Sequence, residues 1–162
     1  MRPSGIIGRA ARRRPLPLLT PRRTALSVSP DVAPNSLLKT LGDGEVLALD
    51  GEVGCSTIRF TVKPEMCHTG GIAQGGFVTG WIDSAMAHAC IGRFGQGFWI
   101  ATLEIKISFF RPATPGAVIA EGWIERAGKQ TVFLEGTLKD EEGRVLAKGT
   151  STVRLVPLAE PA

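Results

Sequence analysis

The sequence predicts an α+β domain in which a curved antiparallel sheet wraps around one long central helix. Three observations support this expectation. Strand-like segments lie on both sides of a single long apolar segment, residues 75–91. The later segments alternate between apolar and polar residues, which is typical of antiparallel strands with one covered face. The long segment is apolar on nearly every side, as expected of a helix that other elements surround.

The elements are predicted in a simple order. A short helix comes first, over residues 36–41, with Ser36 as its N-cap. The long helix begins after a glycine-rich turn and is expected to end at Gly92. Glycine, proline and acidic turns separate the predicted strands, which are residues 45–50, 52–62, 102–109, 117–127, 131–139 and 145–156.

The strand over residues 102–109 has the clearest alternation in the chain. It predicts that Leu103, Ile105, Ile107 and Phe109 share the covered face. Glu104, Lys106 and Ser108 would then share the opposite face.

The first 30 residues differ in composition from the rest. They hold seven arginines, five prolines and no acidic residue, so the remainder has 12 basic and 15 acidic residues although the whole chain carries +4. We therefore expect an unstructured arm over residues 1–30 and one folded domain over residues 31–162. The arm is similar in composition to a mitochondrial transit peptide. A disordered tail and a misassigned start codon are the alternatives.

Composition also limits the partners and the compartment. The acidic body gives no reason to expect nucleic acid, and no run approaches the ~18 apolar residues that span a bilayer. Cys55, Cys67 and Cys90 form no C-x-x-C pair, which argues against a disulfide framework and a zinc ribbon. We expect a cytoplasmic protein with reduced thiols, or a mitochondrial one if the organism is eukaryotic.

One carboxylate is isolated in an apolar segment. Asp83 is the only acidic residue between Glu65 and Glu104, and it lies in the middle of the predicted long helix. Burial of an ionised carboxylate is costly unless the group is paired or has a task. No lysine or arginine lies one helical turn away. Asp83 is therefore a catalytic candidate, with a contact to a strand backbone or a distant arginine as the alternative.

A glycine-rich turn leads into the same helix. Residues 68–76 have the sequence HTGGIAQGG. Glycines allow a ligand to approach the backbone, and the N–H groups at a helix start can stabilise an oxyanion. Tight packing of helix on sheet would explain the glycines equally well.

These features together resemble a known family. The run Gln74-Gly75-Gly76, with Asp83 seven residues after its second glycine, is similar to the signature of PaaI-like hotdog-fold acyl-CoA thioesterases. Residues 102–112 resemble the long strand of that family, and residues 140–147 resemble its last hairpin. The resemblance covers residues 36–156. It implies a hotdog fold that dimerises edge to edge, with a dimer of dimers (homotetramer) as a further option, and no cofactor or metal.

The resemblance also implies roles for single residues. Asp83 would be the nucleophile or the general base, and the Gly75 backbone N–H would polarise the thioester carbonyl. Thr102 would orient water or the carboxylate. Gln74 stands where a histidine is usual and can still donate a hydrogen bond to an acyl oxygen.

The substrate-binding candidates are His68, Gly76 and Arg111. Without a gap in the match, His68 stands where the family usually has an asparagine. With a two-residue gap, His68-Thr69 would instead match a His-Thr pair of the family, and Gly70 would replace the asparagine. Gly76 belongs to the glycine motif. Arg111 could meet the phosphates of coenzyme A as a bidentate donor, as could Arg93, although solvated surface charge explains both arginines equally well.

Other chemistry is less well supported. Cys67 and His68 could form an activated thiol, but neighbours on a strand point to opposite faces. With His88 and Cys90 they offer four zinc ligands, whose spacing matches no usual structural site. We expect His88 to be a core or interface histidine.

The predicted function is hydrolysis of an acyl-CoA thioester. The alternative is a non-catalytic protein of the same fold that binds or senses acyl-CoA. A hydratase or dehydratase would need a histidine near the carboxylate, and the sequence offers no convincing one. Because Gly75 and Asp83 are eight residues apart, or ~12 Å along a helix, we expect both to serve one thioester only across a two-fold dimer.

Overall fold

The computed structural model describes residues 36–158 and shows a hotdog fold, which confirms the predicted architecture. The expected arm over residues 1–30 lies outside the described residues. Two α-helices, α1 and α2, a 3₁₀ turn at Pro64–Met66 and six strands, β1–β6, follow one another. Their bounds are α1 Ser36–Thr40, β1 Glu45–Asp50, β2 Cys55–Val62, α2 Gly75–Phe94, β3 Phe98–Phe109, β4 Gly116–Ala127, β5 Thr131–Asp140 and β6 Val145–Pro157.

The six strands form one antiparallel sheet in the order β1-β2-β4-β5-β6-β3, so that β1 and β3 are its edges. Helix α2 packs on the inner face of this sheet. Trp81, Ile82 and Met86 of the helix are fully buried. The apolar residues of β2, β4, β5 and β6 alternate with polar ones and point toward them, which is why the period-2 pattern was readable in the sequence.

A row of glycines brings the helix close to the sheet. Gly122, Gly136 and Gly149 lie opposite one another on β4, β5 and β6. A Cβ atom at Gly122 would overlap the α2 backbone between Ala85 and Met86. At Gly136 and at Gly149 it would lie 2.9 Å from Cγ2 of Ile82. The missing side chains therefore fix the depth at which α2, and with it Asp83, lies in the sheet.

Helix α2 continues three residues beyond its predicted end. Gly92, expected to end it, is helical and packs against the β1–β2 turn, where an added Cβ would lie 2.9 Å from Cδ1 of Leu49. The helix ends instead at Phe94, and its C-cap is Gly95, which has φ 72° and donates its N–H to the Ile91 carbonyl. A glycine that packs and a glycine that ends a helix look alike in the sequence.

Three strands begin at other residues than predicted, and for β4 the difference is a single residue, Gly116 in place of residue 117. β2 starts at Cys55 rather than at residue 52, because residues 51–54 form a turn. The Asp50 carboxylate closes that turn by accepting the N–H groups of Glu52 and Val53 at 2.9 and 3.0 Å. β3 starts four residues before the predicted start, at Phe98.

The long helix is not buried on every side, contrary to its predicted environment. One arc of α2, which carries Thr79, Asp83, Ala87 and Ile91, is only half-buried in the described chain. The side that carries Trp81, Ile82, Ala85 and Met86 is covered by the sheet and by the segment around α1, where the Trp81 indole N–H donates to the Leu41 carbonyl at 2.6 Å. The half-buried arc is where the candidate site lies.

Candidate active site

Asp83 is held in a half-buried position opposite the edge strand β3. The Thr102 hydroxyl of that strand donates a hydrogen bond to its carboxylate. Burial raises the pKa of Asp83 above its ordinary value, and the bond from Thr102 lowers it in part. None of the ion pairs between described residues involves Asp83. A hydroxyl, rather than the arginine considered from the sequence, is its partner.

A β-bulge turns Thr102 toward the helix. Regular alternation would place Thr102 on the face opposite to Ile105 and Ile107. The β3–β6 register instead pairs Thr102 with Val153 and Glu104 with Thr152, so that Leu103 is an extra residue. Bulges of this kind re-aim side chains next to active sites.

Because of the bulge, Leu103 does not lie on the covered face that alternation predicts for it. Ile105 and Ile107 pack against the core as predicted, whereas Leu103 is 62% exposed. A bulge has no signature in the apolar–polar pattern. Strict alternation therefore placed Leu103 wrongly on the covered face.

The start of α2 leaves one backbone N–H without an acceptor. Gln74 is the N-cap, and its side-chain Oε1 accepts the Gly76 N–H at 2.6 Å. The Gln74 carbonyl accepts the N–H groups of Phe77 and Val78 at 3.0 and 3.5 Å. Within residues 36–158 no acceptor receives the Gly75 N–H, which is the first of the helix.

The cap also fixes the orientation of the Gln74 amide. The Gly76 N–H needs an acceptor, so the side-chain oxygen faces the helix and the NH₂ group points away from it. Gln74 therefore still offers a donor, as the sequence suggested. The N–H of Gly76 is used by the cap.

His68 closes the turn that precedes the helix. Its side chain is exposed, and Nδ1 accepts the Gly70 N–H at 3.1 Å. Its carbonyl accepts the Gly71 N–H at 2.9 Å, and its own N–H donates to the Ile72 carbonyl at 3.0 Å. The Cys67 thiol instead donates to the Lys63 carbonyl at 3.6 Å, so the two side chains form no thiol–imidazole pair.

The two arginine candidates lie at opposite ends of α2. Arg93 binds the carbonyl groups of Gly51 and Glu52 at the C-terminal end, both at 3.3 Å. Arg111 follows β3 at the end that meets Gly75, and its Nη1 donates to the Val145 carbonyl at 2.8 Å. Only Arg111 is placed at the same end as the helix start.

The remaining candidates are placed without forming a metal cluster. Within the described part of the chain no group of three or more His, Cys, Asp or Glu residues could hold a metal ion. His88 binds the Ser84 carbonyl through Nδ1 at 2.8 Å. Cys90 is buried, which raises the pKa of its thiol to about 12 and keeps it protonated.

No helix among residues 36–158 is both long and apolar enough to cross a membrane.

Comparison with known proteins shows which families this chain resembles. The thioesterase superfamily model matches residues 70–147, the segment that carries the helix start, Asp83 and Thr102. Among solved structures, a candidate thioesterase of Ralstonia eutropha related to phenylacetic acid degradation proteins is 25% identical, with TM-score 0.71 over 78% of this chain and 94% of that one. The phenylacetic acid degradation protein PaaI of Thermus thermophilus, solved as a point mutant, is 28% identical, with TM-score 0.64 over 74% and 96%.

A third neighbour was solved with a ligand. A hypothetical thioesterase of Streptococcus pneumoniae, in a structure with coenzyme A, is 18% identical, with TM-score 0.67 over 74% of this chain and 91% of that one. The match to the thioesterase superfamily model and these solved structures confirm the resemblance to PaaI-like hotdog thioesterases. This similarity supports a thioester hydrolase activity.

Proposed function

We propose that the protein hydrolyses acyl-CoA thioesters at active sites formed between two copies of the chain. One observation carries the proposal: α2 presents an uncommitted N–H at Gly75 and a half-buried carboxylate at Asp83. The N–H is an oxyanion donor and the carboxylate is a base or nucleophile. Eight residues of helix separate them by ~12 Å, too far for both to act on one carbon atom.

A two-fold dimer brings the two groups together. Among the described residues β3 pairs only with β6, so its other edge is open along 12 residues. Trp99 and Leu103 of this strand are 68% and 62% exposed. A long apolar edge of this kind is a template for pairing with a second copy. Antiparallel pairing of two β3 strands sets the Gly75 end of one subunit against the Thr102 and Asp83 of its partner.

The proposed reaction then uses groups from both subunits. The Gly75 N–H of one subunit binds the thioester carbonyl oxygen, which becomes the oxyanion. As a general base, the partner's Asp83 takes a proton from water while the water oxygen attacks the carbonyl carbon. The C–S bond then breaks, and the proton passes from the partner's Asp83 to sulfur, which releases the acid and the CoA thiol. As a nucleophile, the same carboxylate would instead attack the carbonyl carbon and form a mixed anhydride as the C–S bond breaks and the CoA thiolate leaves. Water would then cleave the anhydride to the free acid and the regenerated carboxylate, and the proton released from water would neutralise the thiolate.

Two observations support coenzyme A as the thiol part of the substrate. A structural neighbour was solved with coenzyme A, and Arg111 lies at the end of β3 next to the helix start. Its guanidinium keeps donors beyond the one used for Val145, which suits a phosphate. The thioesterase family itself supports cleavage of the thioester bond.

A thiol-release assay over short, medium and aromatic acyl-CoA esters tests the proposal. We expect turnover by the wild type and a loss of at least 100-fold in kcat for Asp83→Asn, the range typical of a lost acid–base group. Glu104→Gln is the matched control, because Glu104 is an exposed carboxylate on the outer face of β3. It should keep activity within about twofold.

Two outcomes would contradict the proposal. Tight binding of acyl-CoA without release of thiol would favour the non-catalytic binding protein. Equal losses in Asp83→Asn and Glu104→Gln would show that the position of the carboxylate is unimportant.

A further inference from the structure

A half-exposed aromatic ring lies beside the proposed oxyanion donor. Phe109 is the last residue of β3 and is 56% exposed. A Cβ atom added at Gly75 would lie 3.2 Å from Cζ and 3.5 Å from Cε1 of this ring. The ring therefore lies against the first residue of α2, whose N–H is the proposed donor.

The strand register places the ring on the inner face of the sheet. Phe109 pairs with Ala147, and Ile107 pairs with Gly149. Ala147 is buried and Ile107 packs against the core, so this series of positions faces the helix. The exposed part of the ring thus borders the site and not the outer surface.

Resting on the proposed function, we propose that Phe109 is a specificity-determining residue on which the acyl group packs. The oxyanion must lie within about 3 Å of the Gly75 N–H. The acyl chain begins at the same carbonyl carbon, one bond away, and so starts within reach of a ring that contacts Gly75. An acyl chain of several carbons covers exposed aromatic surface and gains apolar burial. An acetyl group is too short to gain much.

The next residue provides a matched control. Phe110 has the same side chain and is 57% exposed. Its N–H donates to the Leu146 carbonyl at 2.8 Å, which continues the extended chain past β3. Apart from the chain neighbours Gln74 and Gly76, Phe109 supplies the only side-chain atoms within 4 Å of the added Cβ at Gly75 among the described residues.

The test is the ratio of kcat/KM for hexanoyl-CoA to kcat/KM for acetyl-CoA. We expect Phe109→Ala to lower this ratio by about tenfold, the factor that ~55 Å² of buried apolar surface supplies. Phe109→Leu, which keeps apolar bulk, should give a smaller decrease. Phe110→Ala should leave the ratio within about twofold. Thermal unfolding of each variant checks that the fold is kept. If Phe109→Ala does not fold, the ratio measured for Phe109→Leu tests the proposal in its place.

Three results separate this inference from the proposed function. Equal losses on both esters in Phe109→Ala would overturn the specificity role, as would the same change of ratio in Phe110→Ala. Both of these presuppose an active wild type. A wild type that releases no thiol from either ester would overturn the proposed function and this inference with it.

Discussion

At the scale of single residues, Asp83 is shaped by two opposing effects. Burial favours its neutral form, and the Thr102 hydroxyl favours the ionised form that a base or nucleophile needs. A pKa raised by burial makes the carboxylate more basic, and the hydroxyl limits that increase. The balance between these effects sets the pH range in which the site can work.

Removal of the Thr102 hydroxyl should move the acid limb of the pH–rate profile. In Thr102→Val the remaining effect is burial, so the pKa of Asp83 rises further and activity is lost at a higher pH. Thr102→Ser keeps a hydroxyl and should leave the limb in place. The measurement is kcat/KM against pH, which reports groups of the free enzyme. An unmoved limb in Thr102→Val, or a shift to lower pH, would contradict the coupling.

The same burial predicts that Asp83 costs stability. A carboxyl whose folded pKa is raised contributes most below its ordinary value of 3.8, and this contribution is lost as pH rises through the folded pKa. Asp83→Asn stays neutral and can still accept from Thr102. We therefore expect a higher Tm than wild type at pH 7, by about 2–4 °C for each kcal/mol gained.

The pH dependence of this gain is its control. As the pH falls through the raised pKa and then below the ordinary value of 3.8, the wild-type carboxyl becomes protonated in both the folded and the unfolded state, so the difference in Tm should shrink. Glu104→Gln removes an exposed carboxylate and should change stability by less than about 0.5 kcal/mol. A destabilised Asp83→Asn at pH 7 would show that the ionised group is needed for the fold.

The residues of the site were predicted to different degrees. Asp83 was identified from its isolation in an apolar helix, which is a property of the sequence itself. Thr102 came from the family resemblance alone, since regular alternation would point it away from the helix. The cap formed by Gln74 depends on a backbone turn, so the sequence showed a donor but not the bond to Gly76.

At the scale of elements, the strands and the long helix were predicted from hydrophobic periodicity, and irregularities within them were not predicted. The six strands and α2 were predicted because each buries one face or most faces, and burial leaves a period in the sequence. The bulge at Leu103 and the helical Gly92 are set by contacts between elements. Such contacts leave no local pattern, which is why both were missed.

The glycine row gives a prediction at this scale. Gly122→Ala would drive a methyl group into the α2 backbone, which cannot move without shifting the helix. We expect a loss of about 3 kcal/mol or more, at the upper end for overpacked cores. Gly149→Ala would instead meet methyl groups of Ile107 and Ile82, at 2.7 and 2.9 Å, which can shift, while the nearest backbone atom, the Lys106 carbonyl oxygen, lies 3.6 Å away. It should cost less.

Urea unfolding of the two variants measures the difference. The comparison is internal, since each change adds one methyl group to the same row. Equal losses would show that the helix backbone is as adaptable as the side chains, and the row would not fix the depth of α2.

At the scale of the whole molecule, the proposed active site needs a second subunit. Gly75 and Asp83 lie on one rigid helix, and no side-chain rotation closes ~12 Å. The open edge of β3 and the half-buried arc of α2 are the two surfaces that the described chain leaves uncovered beside this site. Burial of both in a two-fold dimer would complete the site and cover the edge together.

Mixing two inactive variants tests whether the site is shared. Asp83→Asn removes the carboxylate, and Gly75→Pro removes the N–H. Proline suits the first helical position, and Gln74 before it has ψ 138°, the extended conformation that a residue before proline prefers. In a mixed dimer one site combines both defects, and the other pairs an intact Gly75 with an intact Asp83. When equal amounts are refolded together, half of the dimers are mixed and each has one good site of two, so activity should return to about a quarter of wild type. If each chain supplied both groups to its own site, every mixture would stay as inactive as the separate variants.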